Sequence, residues 1–227
     1  MRSGFVPLRL ELGDSASIDW AWGEAEKISG GLDAVINNAG AAVFGSIASL
    51  PPEAWDEQWN VLFTGPARLT RLAFDAMRGR GRGVIVNVTS LAVEFPIPYL
   101  AAYNTAKTAL AAFTEALAIE AAESGVTLID FRPGDYRTGF NLAMAARSSL
   151  TGADARTKRV WSRLEGLLAA APPPERAARD LRRALHRGRP GMVRSGGFFQ
   201  VRIAPLGNRL LPARFMRLLR RFYFRLG

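Results

Sequence analysis

The stretch "GVIVNVTS", residues 83–90, is a short run of valine and isoleucine that begins at a glycine and ends at a serine. β-Branched residues favour strands, and an unbroken apolar run is typical of a strand that is buried on both faces. Such strands occur in parallel sheets that helices cover on both sides. Residues 83–90 therefore predict an inner strand of an α/β fold.

Similar runs recur on both sides of this stretch, and segments with helical spacing separate them. The further predicted strands are 5–12 ("FVPLRLEL"), 32–38 ("LDAVINN"), 126–131 ("VTLIDF") and a short one at 191–194. The predicted helices are 15–29, 52–77, 99–124 and one within 171–188. This alternation predicts a single-domain α/β fold with a doubly wound, Rossmann-like parallel sheet. Ligands of such sheets bind beyond the carboxyl ends of the strands.

Composition limits the possible functions. Apolar residues make up 48% of the 227 and charged residues 22%, which indicates a globular chain. There is no cysteine, and His186 is the single histidine, so we predict no disulfide, no cysteine nucleophile and no metal site. The sequence has neither a signal-peptide pattern nor an apolar run of about 18 residues. We therefore expect a soluble, cytoplasmic protein, at most attached to a membrane surface.

The net charge of +10 belongs to the end of the chain. From Leu181 onward there are twelve arginines and no acidic residue. In 208–227 the arginines alternate with Leu, Phe and Met at helical spacing. One interpretation is a helix that packs on the domain with its arginines in solvent, and the other is a helix that lies on an anionic membrane. No nucleic-acid-binding motif is recognisable, so we predict no nucleic-acid partner.

Polar or small residues follow three of the predicted strands. "NNAG" at 37–40 ends one strand, Ser90 ends the next, and "RPGDYRT" at 132–138 follows the third. Singly, each has an ordinary explanation as a turn or a helix cap. Tyr103 and Lys107 lie four residues apart on one helical face, and Ser90 precedes Tyr103 by 13 residues, so the three groups can converge.

This convergence suggests redox chemistry on a carbonyl. A neighbouring ammonium lowers the pKa of a phenol from about 10, so we expect Lys107 to make Tyr103 a usable general acid and base. Ser90 can donate a hydrogen bond to the same carbonyl oxygen. No side chain supplies a hydride, whereas a nicotinamide cofactor does.

The chain resembles the short-chain dehydrogenase/reductase family over roughly residues 5–200. The resemblance lies in these motifs, their order and their spacing. The resemblance implies that Ser90, Tyr103 and Lys107 are catalytic and that the cofactor is NAD or NADP, which the sequence does not distinguish. It places Glu11 and Leu12 near the adenine. The other cofactor-binding residues it implies are Asn38, Ala39, Gly40, Tyr103, Lys107, Pro133, Gly134, Tyr136 and Thr138.

The chain departs from the family pattern twice. Where the family often has a catalytic asparagine three residues before a small residue such as Gly65, this chain has Leu62, and Asn60 is a candidate for that role only through a shifted register. The glycine-rich turn and the first two strands of the family are not found before Asn37. We therefore expect an N-terminally truncated domain over 1–200, followed by a basic amphipathic segment over 201–227.

Two functions remain open at this stage. The first is an NAD(P)-dependent oxidoreductase that interconverts a small hydrophobic alcohol and its ketone or aldehyde. The second is an inactive remnant of the family that serves as a binding or interaction module. In either case a sheet edge left open by the missing strands predicts a homo-oligomer. The predicted apolar wall of the substrate site comprises Phe95, Ile97, Phe140, Leu142 and Met144.

Overall fold

The structure is a computed structural model that describes residues 4–148 and 150–226. Its four strands are parallel and form one sheet, in which their order is the same as in the chain. The strands are β1 Ala34–Asn37, β2 Gly83–Val88, β3 Val126–Pro133 and β4 Gly191–Ser195. In the register of the sheet, Asn87 of β2 lies beside Asn37 of β1 and Asp130 of β3. The predicted α/β fold with a parallel sheet is confirmed.

Helices connect and cover these strands. They are α1 Ser15–Ser29, α2 Pro52–Trp59, α3 Gly65–Arg80, α4 Ala101–Glu120, α5 Gly139–Arg147, α6 Ala155–Ala169, α7 Glu175–Arg187, α8 Ala204–Leu210 and α9 Ala213–Tyr223. Two π-helical segments, Asn60–Thr64 and Phe199–Ile203, join α2 to α3 and lead into α8. Predicted helix 15–29 matches α1, whereas 52–77 is interrupted by the first π-helical segment.

The two faces of the sheet carry different helices. On one face, Ile85 and Leu128 pack with Met77 of α3 and Leu117 of α4. On the other face, Val86, Val88, Ile129 and Phe131 pack with Ala184 of α7. Alternate residues of β2 thus enter different cores, which explains why the whole run at 83–88 is apolar except for Asn87.

Asn87 is the polar exception, and its side chain is fully buried. Its amide nitrogen donates to Thr114 Oγ1 of α4 at 2.8 Å, and its oxygen accepts from Asn37 Nδ2 of β1 at 2.7 Å. The same oxygen accepts from Thr70 Oγ1 of α3 at 3.0 Å. These bonds satisfy a buried amide and connect β1, β2, α3 and α4.

The predicted strand over 5–12 is wrong. Those residues form no strand, and Phe5 and Val6 are exposed. The segment instead meets the start of α3, where a Cβ added at Gly65 would lie 2.3 Å from the carbonyl oxygen of Leu12. An alternating apolar pattern forms a strand only where a neighbouring strand pairs with it, and the outer edge of β1 has no strand partner among the described residues.

The region after β3 is more helical than the sequence indicates. Helices α5 and α6 lie in a stretch that the sequence leaves unassigned, and α8 and α9 are separated at Leu211 and Pro212. None of the described helices is both long and apolar enough to cross a bilayer.

Candidate active site

A large cavity of about 1330 Å³ opens beyond the carboxyl ends of β1, β2 and β3. Its walls are mainly apolar and come from the strand ends, α4, α5, α6, α7 and the chain after residue 198. Most of the residues that the sequence selects line this cavity, namely Asn38, Ala39, Gly40, Ser90, Tyr103, Lys107, Pro133, Gly134, Tyr136 and Thr138. The sheet therefore brings together side chains that are up to 100 residues apart.

Ser90 and Tyr103 meet at the mouth of β2. Ser90 is extended, and its Oγ accepts a hydrogen bond from the backbone N–H of Ala92 at 3.0 Å, which fixes the turn after the strand. The Tyr103 phenol lies near Ser90, whose hydroxyl lowers the pKa of the phenol. The ring of Tyr103 packs against Phe140 of α5 with 5.8 Å between the centroids. The phenol is thus held between a hydroxyl and an apolar wall.

Lys107 lies one helical turn after Tyr103 and is only 4% exposed. Its Nζ donates to the carbonyl oxygen of Val88 at 2.7 Å. Burial lowers the pKa of Lys107 to about 8, and the charge of Asp130 opposes this shift. A lysine whose pKa lies this close to physiological pH is unusual, and such shifts concentrate in functional sites.

The predicted lowering of the Tyr103 pKa by Lys107 is wrong, because the pKa of the phenol is raised. Burial raises the pKa of Tyr103, the hydrogen bond with Ser90 lowers it, and the charge of Asp135 raises it further. Desolvation penalises the phenolate more than its surroundings stabilise it. Tyr103 is therefore held as a neutral phenol, which is a proton donor.

The π-helical segment determines which residue approaches Lys107. A Cβ added at Gly40 would lie 3.0 Å from Leu62 Cδ2 and 3.9 Å from Lys107 Nζ, so Leu62 occupies this corner. Asn60 is half-buried and does not line the cavity. Leu62, which stands where the family often has its asparagine, faces inward without a shift of register, so the proposed role of Asn60 has no structural support.

The turn after β3 is fixed to β4 and α7. Tyr136 is buried, and its hydroxyl shares a 2.6 Å hydrogen bond with Ser195 Oγ. Ser195 in turn donates to Asp180 Oδ2 at 2.8 Å. Because the Tyr136 hydroxyl is used in this way, its contribution to the cavity comes from its ring and backbone. Thr138, which precedes α5, makes no side-chain capping bond and lines the cavity.

Asp135 is a cavity residue that the sequence analysis missed, although it lies inside the quoted "RPGDYRT" motif. Burial raises the pKa of its carboxyl group, and a 2.7 Å hydrogen bond from Gln200 Nε2 opposes that shift. Gln200 also covers Gly134, since a Cβ there would lie 2.6 Å from Gln200 Oε1. The sequence signal for Asp135 is its position directly after the proline-glycine turn, among residues predicted to line the site.

A buried ion cluster holds the loop that follows Ser90. The Glu94 carboxylate accepts hydrogen bonds from Arg132 of β3 at 3.0 Å and from Arg194 of β4 at 2.8 Å. Arg132 also pairs with the buried carboxylate of Asp130 at 2.6 Å. Each charge in this cluster has a partner, which a buried ion requires. The cluster therefore fixes the loop between Ser90 and the cavity wall.

Three sequence-selected residues lie elsewhere. Glu11 is exposed and Leu12 packs at Gly65, and neither lines the cavity. Leu142 is 75% exposed and points away from the predicted substrate wall. The other four wall residues, Phe95, Ile97, Phe140 and Met144, do line the cavity. Among the described residues there is also no group of three or more His, Cys, Asp or Glu side chains that could hold a metal ion.

This arrangement of sheet, serine, tyrosine and lysine defines the class of the protein. Residues 2–148 match the family model described as short chain dehydrogenase. Because that match covers more than half of the chain, the protein belongs to the short-chain dehydrogenase/reductase family, whose members are oxidoreductases.

Particular relatives support this assignment. The chain is 42% identical over 118 residues to dehydrogenase/reductase SDR family member 4 of Bos taurus. The matched residues make up 52% of this chain and 42% of that protein, so the chain spans less than half of the relative's length. A short-chain dehydrogenase structure from Streptomyces avermitilis superimposes with a TM-score of 0.77 at 25% identity, covering 97% of this chain and 79% of that one. The 3-ketoacyl-(acyl-carrier-protein) reductase of Brucella melitensis, solved with NADH, gives a TM-score of 0.58 at 28% identity, covering 60% and 59%.

The lowered pKa of Lys107 predicts a pH-dependent stability. Between pH 8 and 10.5 the unfolded lysine still binds a proton that the folded one has lost, so the free energy of unfolding rises with pH. Relative to Lys107→Met, the wild type should gain about 2 kcal/mol between pH 7.5 and 9.5, measured by urea unfolding.

The matched control is Lys158→Met, because Lys158 is exposed on α6. The wild type should gain nothing relative to this variant over the same pH interval. An equal pH dependence of wild type and Lys107→Met would show that Lys107 is fully charged in the folded protein.

Proposed function

We propose that this protein is a nicotinamide-dependent oxidoreductase that reduces the carbonyl group of an apolar substrate to an alcohol, and catalyses the reverse reaction. The observation that carries the proposal is that Ser90, Tyr103 and Lys107 line the same large apolar cavity, with Lys107 one helical turn after Tyr103. This is the minimum set of groups needed to polarise a carbonyl oxygen and to protonate it.

The side chains divide the chemistry among them. Ser90 donates a hydrogen bond to the carbonyl oxygen and so stabilises the negative charge that develops there. Tyr103 gives its phenolic proton to the same oxygen as the carbon is reduced. The raised pKa of Tyr103 keeps the phenol protonated at neutral pH, which favours reduction over alcohol oxidation. When bound, a nicotinamide dinucleotide supplies the hydride.

Lys107 has two roles in this proposal. Its pKa of about 8 makes it able to release and regain a proton near neutral pH, and thus to resupply the phenol. Its Nζ also lies near Gly40, 3.9 Å from the position that a Cβ would take there, so it can donate to a ribose that enters from the cavity. Asn38, Ala39 and Gly40 are exposed to the cavity on the same side. These residues suit the nicotinamide-ribose half of a dinucleotide.

The apolar cavity supports a hydrophobic substrate. Phe95, Ile97, Phe140 and Met144 line it, together with leucines of α6 and the aromatic side chains of α9. A volume of about 1330 Å³ exceeds that of an ordinary small-molecule site, so the cavity has room for a long alkyl chain beside the cofactor.

Replacement of Tyr103 by phenylalanine tests the proposed reaction. The variant should reduce an aliphatic ketone at least 100-fold more slowly than the wild type, because general acid catalysis by a side chain contributes about 10²- to 10⁴-fold. Turnover is measured by the loss of NADH or NADPH absorbance at millimolar dinucleotide.

Tyr99→Phe is the matched control, because Tyr99 stacks on Phe44 and does not line the cavity, and it should retain normal turnover. Near-normal turnover of Tyr103→Phe would contradict the assignment of the proton donor. A wild type without any turnover, with ketone binding intact, would instead favour the inactive binding module.

The phosphates of a dinucleotide have a poorer site than its nicotinamide. In the family, a glycine-rich turn between a strand and a helix holds the pyrophosphate at the helix N-terminus. Among the described residues, the chain before α1 forms no strand, and Asp14 already caps that helix by accepting from Ala16 N–H at 2.9 Å. The carboxylate of Asp14 also repels a phosphate at this position.

We therefore predict that the 227-residue chain binds NADH and NADPH weakly, with a Kd of about 1 mM or higher, whether or not a 2′-phosphate is present. Isothermal titration calorimetry with both dinucleotides, and with reduced nicotinamide mononucleotide as the control, measures this. The mononucleotide should bind as well as the dinucleotides. Micromolar binding of either dinucleotide would show that another group of residues holds the pyrophosphate.

We also propose that α9 lies on an anionic membrane surface, which would bring the cavity to a lipid-like substrate. Phe215, Leu218 and Phe222 form an exposed apolar stripe, and they are 45%, 57% and 83% exposed; Phe222 lies where this stripe meets the cavity. Arg214, Arg217 and Arg221 flank this stripe and are also exposed. Exposed apolar side chains bordered by arginines are typical of helices that lie at the interface of an anionic bilayer.

Replacement of Phe222 by aspartate tests membrane contact. In sedimentation with vesicles that contain phosphatidylserine, the wild type should pellet and the variant should stay largely in the supernatant, while neither pellets with neutral phosphatidylcholine vesicles. Ile119→Asp is the control, because Ile119 is 71% exposed on α4 and should not affect pelleting. Equal recovery of Phe222→Asp and wild type in the pellet would count against the proposal.

Two further expectations belong to this proposal. Within residues 4–148 and 150–226 no strand pairs with the outer edge of β1, which supports self-association into a homo-oligomer, because exposed strand edges pair readily. The absence of cysteine supports a reducing, cytoplasmic location.

A further inference from the structure

Arg220 differs from the other arginines of α9 in its environment. It lies on the inward face of the helix with Met216 and Tyr223, and all three residues line the cavity. Its guanidinium lies over the ring of Phe95, 5.8 Å from the centroid. The remaining charged side chains in the cavity wall are Lys107 and Asp135. Arg220 is therefore the one arginine that the described structure places against the cavity.

The guanidinium of Arg220 has no anionic partner among the described residues. Its nitrogen Nη2 donates to the backbone oxygen of Glu94 at 3.4 Å and to Asn208 Oδ1 at 2.8 Å, both of which are neutral acceptors. Its Nε is buried and makes no hydrogen bond with any described group. Burial lowers the pKa of Arg220, which means that its surroundings penalise the charge and do not compensate it.

The carboxylate of Glu94, whose backbone oxygen accepts from Arg220, is already occupied. Glu94 accepts hydrogen bonds from Arg132 and Arg194, and its carboxylate forms no ion pair with Arg220. Arg132 and Arg194 are partly buried like Arg220, yet each has its counter-ion in this cluster. An uncompensated charge at a partly desolvated position is unfavourable for folding alone, so it is typical of a site that a ligand completes.

From this geometry we infer that Arg220 binds the anionic end of an amphiphilic substrate whose apolar chain fills the cavity. A carboxylate or phosphate accepts hydrogen bonds from a guanidinium in a planar, charge-assisted pair, and would satisfy the free Nε–H. The apolar walls supply the complementary surface for an alkyl chain. This inference rests on the proposed function for the identity of the reacting carbonyl, but the anion site itself is independent of turnover.

Binding of matched ten-carbon probes tests the inference without any redox activity. Decanoate and decyl phosphate carry the anion, and decanol is the neutral counterpart of the same length. Isothermal titration calorimetry is carried out with the full chain as wild type, Arg220→Met and Arg220→Lys. The control is Arg159→Met, because Arg159 is exposed on α6, a helix that also contributes to the cavity wall.

We expect Arg220→Met to lose about tenfold or more in affinity for decanoate and decyl phosphate, because a charge-assisted hydrogen bond is lost, and to keep its affinity for decanol. Arg220→Lys should recover part of the loss, and Arg159→Met should bind all three probes normally. Unchanged binding of both anionic probes by Arg220→Met would overturn the inference. An equal loss for decanol would also overturn it, since it would show that Arg220 only holds α9 in place.

Failure here is distinguishable from failure of the proposed reaction. If Tyr103→Phe retains turnover while Arg220→Met loses decanoate binding, the assignment of the proton donor is wrong and the anion site stands. If Tyr103→Phe is inactive while Arg220→Met binds decanoate normally, the chemistry stands and the anionic end of the substrate is misassigned.

Discussion

The buried amide of Asn87 is the constraint on which the rest of the site depends. A polar side chain in the middle of an apolar sheet must find partners, because leaving it unpaired costs about 1–3 kcal/mol. Asn87 finds them on β1, α3 and α4, so these elements cannot slide without breaking a buried hydrogen bond. Its neighbour Val88 accepts the hydrogen bond of Lys107. The position of α4, and with it that of Tyr103, follows from this one strand.

The sequence predicts this part of the protein well, because strong local patterns and the sheet agree there. Strands buried on both faces are recognisable from continuous β-branched runs, and α1 has clear signals at both ends, from Asp14 to Gly30. The site residues at the ends of β1 and β2 and on α4 follow from the rule that parallel strands open at one edge. In the structure, ten of the selected residues line one cavity.

The features that the sequence does not predict depend on contacts between residues far apart in the chain, which no local pattern indicates. Residues 5–12 have the composition of a strand but no neighbour to pair with. Leu62 lies in a π-helical segment, Asn60–Thr64, that the helical spacing of residues 52–77 does not reveal. The direction of the Tyr103 pKa shift depends on how deeply α5 buries the phenol. The different surroundings of Arg217 and Arg220, three residues apart on α9, follow from how that helix docks on the domain.

Burial also explains how the cavity combines apolar walls with charged chemistry. Desolvation shifts the pKa values of Tyr103, Lys107 and Asp135, and in each case the shift favours the uncharged form. A guanidinium does not follow this trend far enough to lose its proton, because its intrinsic pKa lies far above neutral. Arg220 thus remains a fixed positive charge in a cavity whose other ionisable groups move toward neutrality. A ligand that enters is therefore oriented by its own charge, with its anionic end at α9 and its chain along the apolar walls.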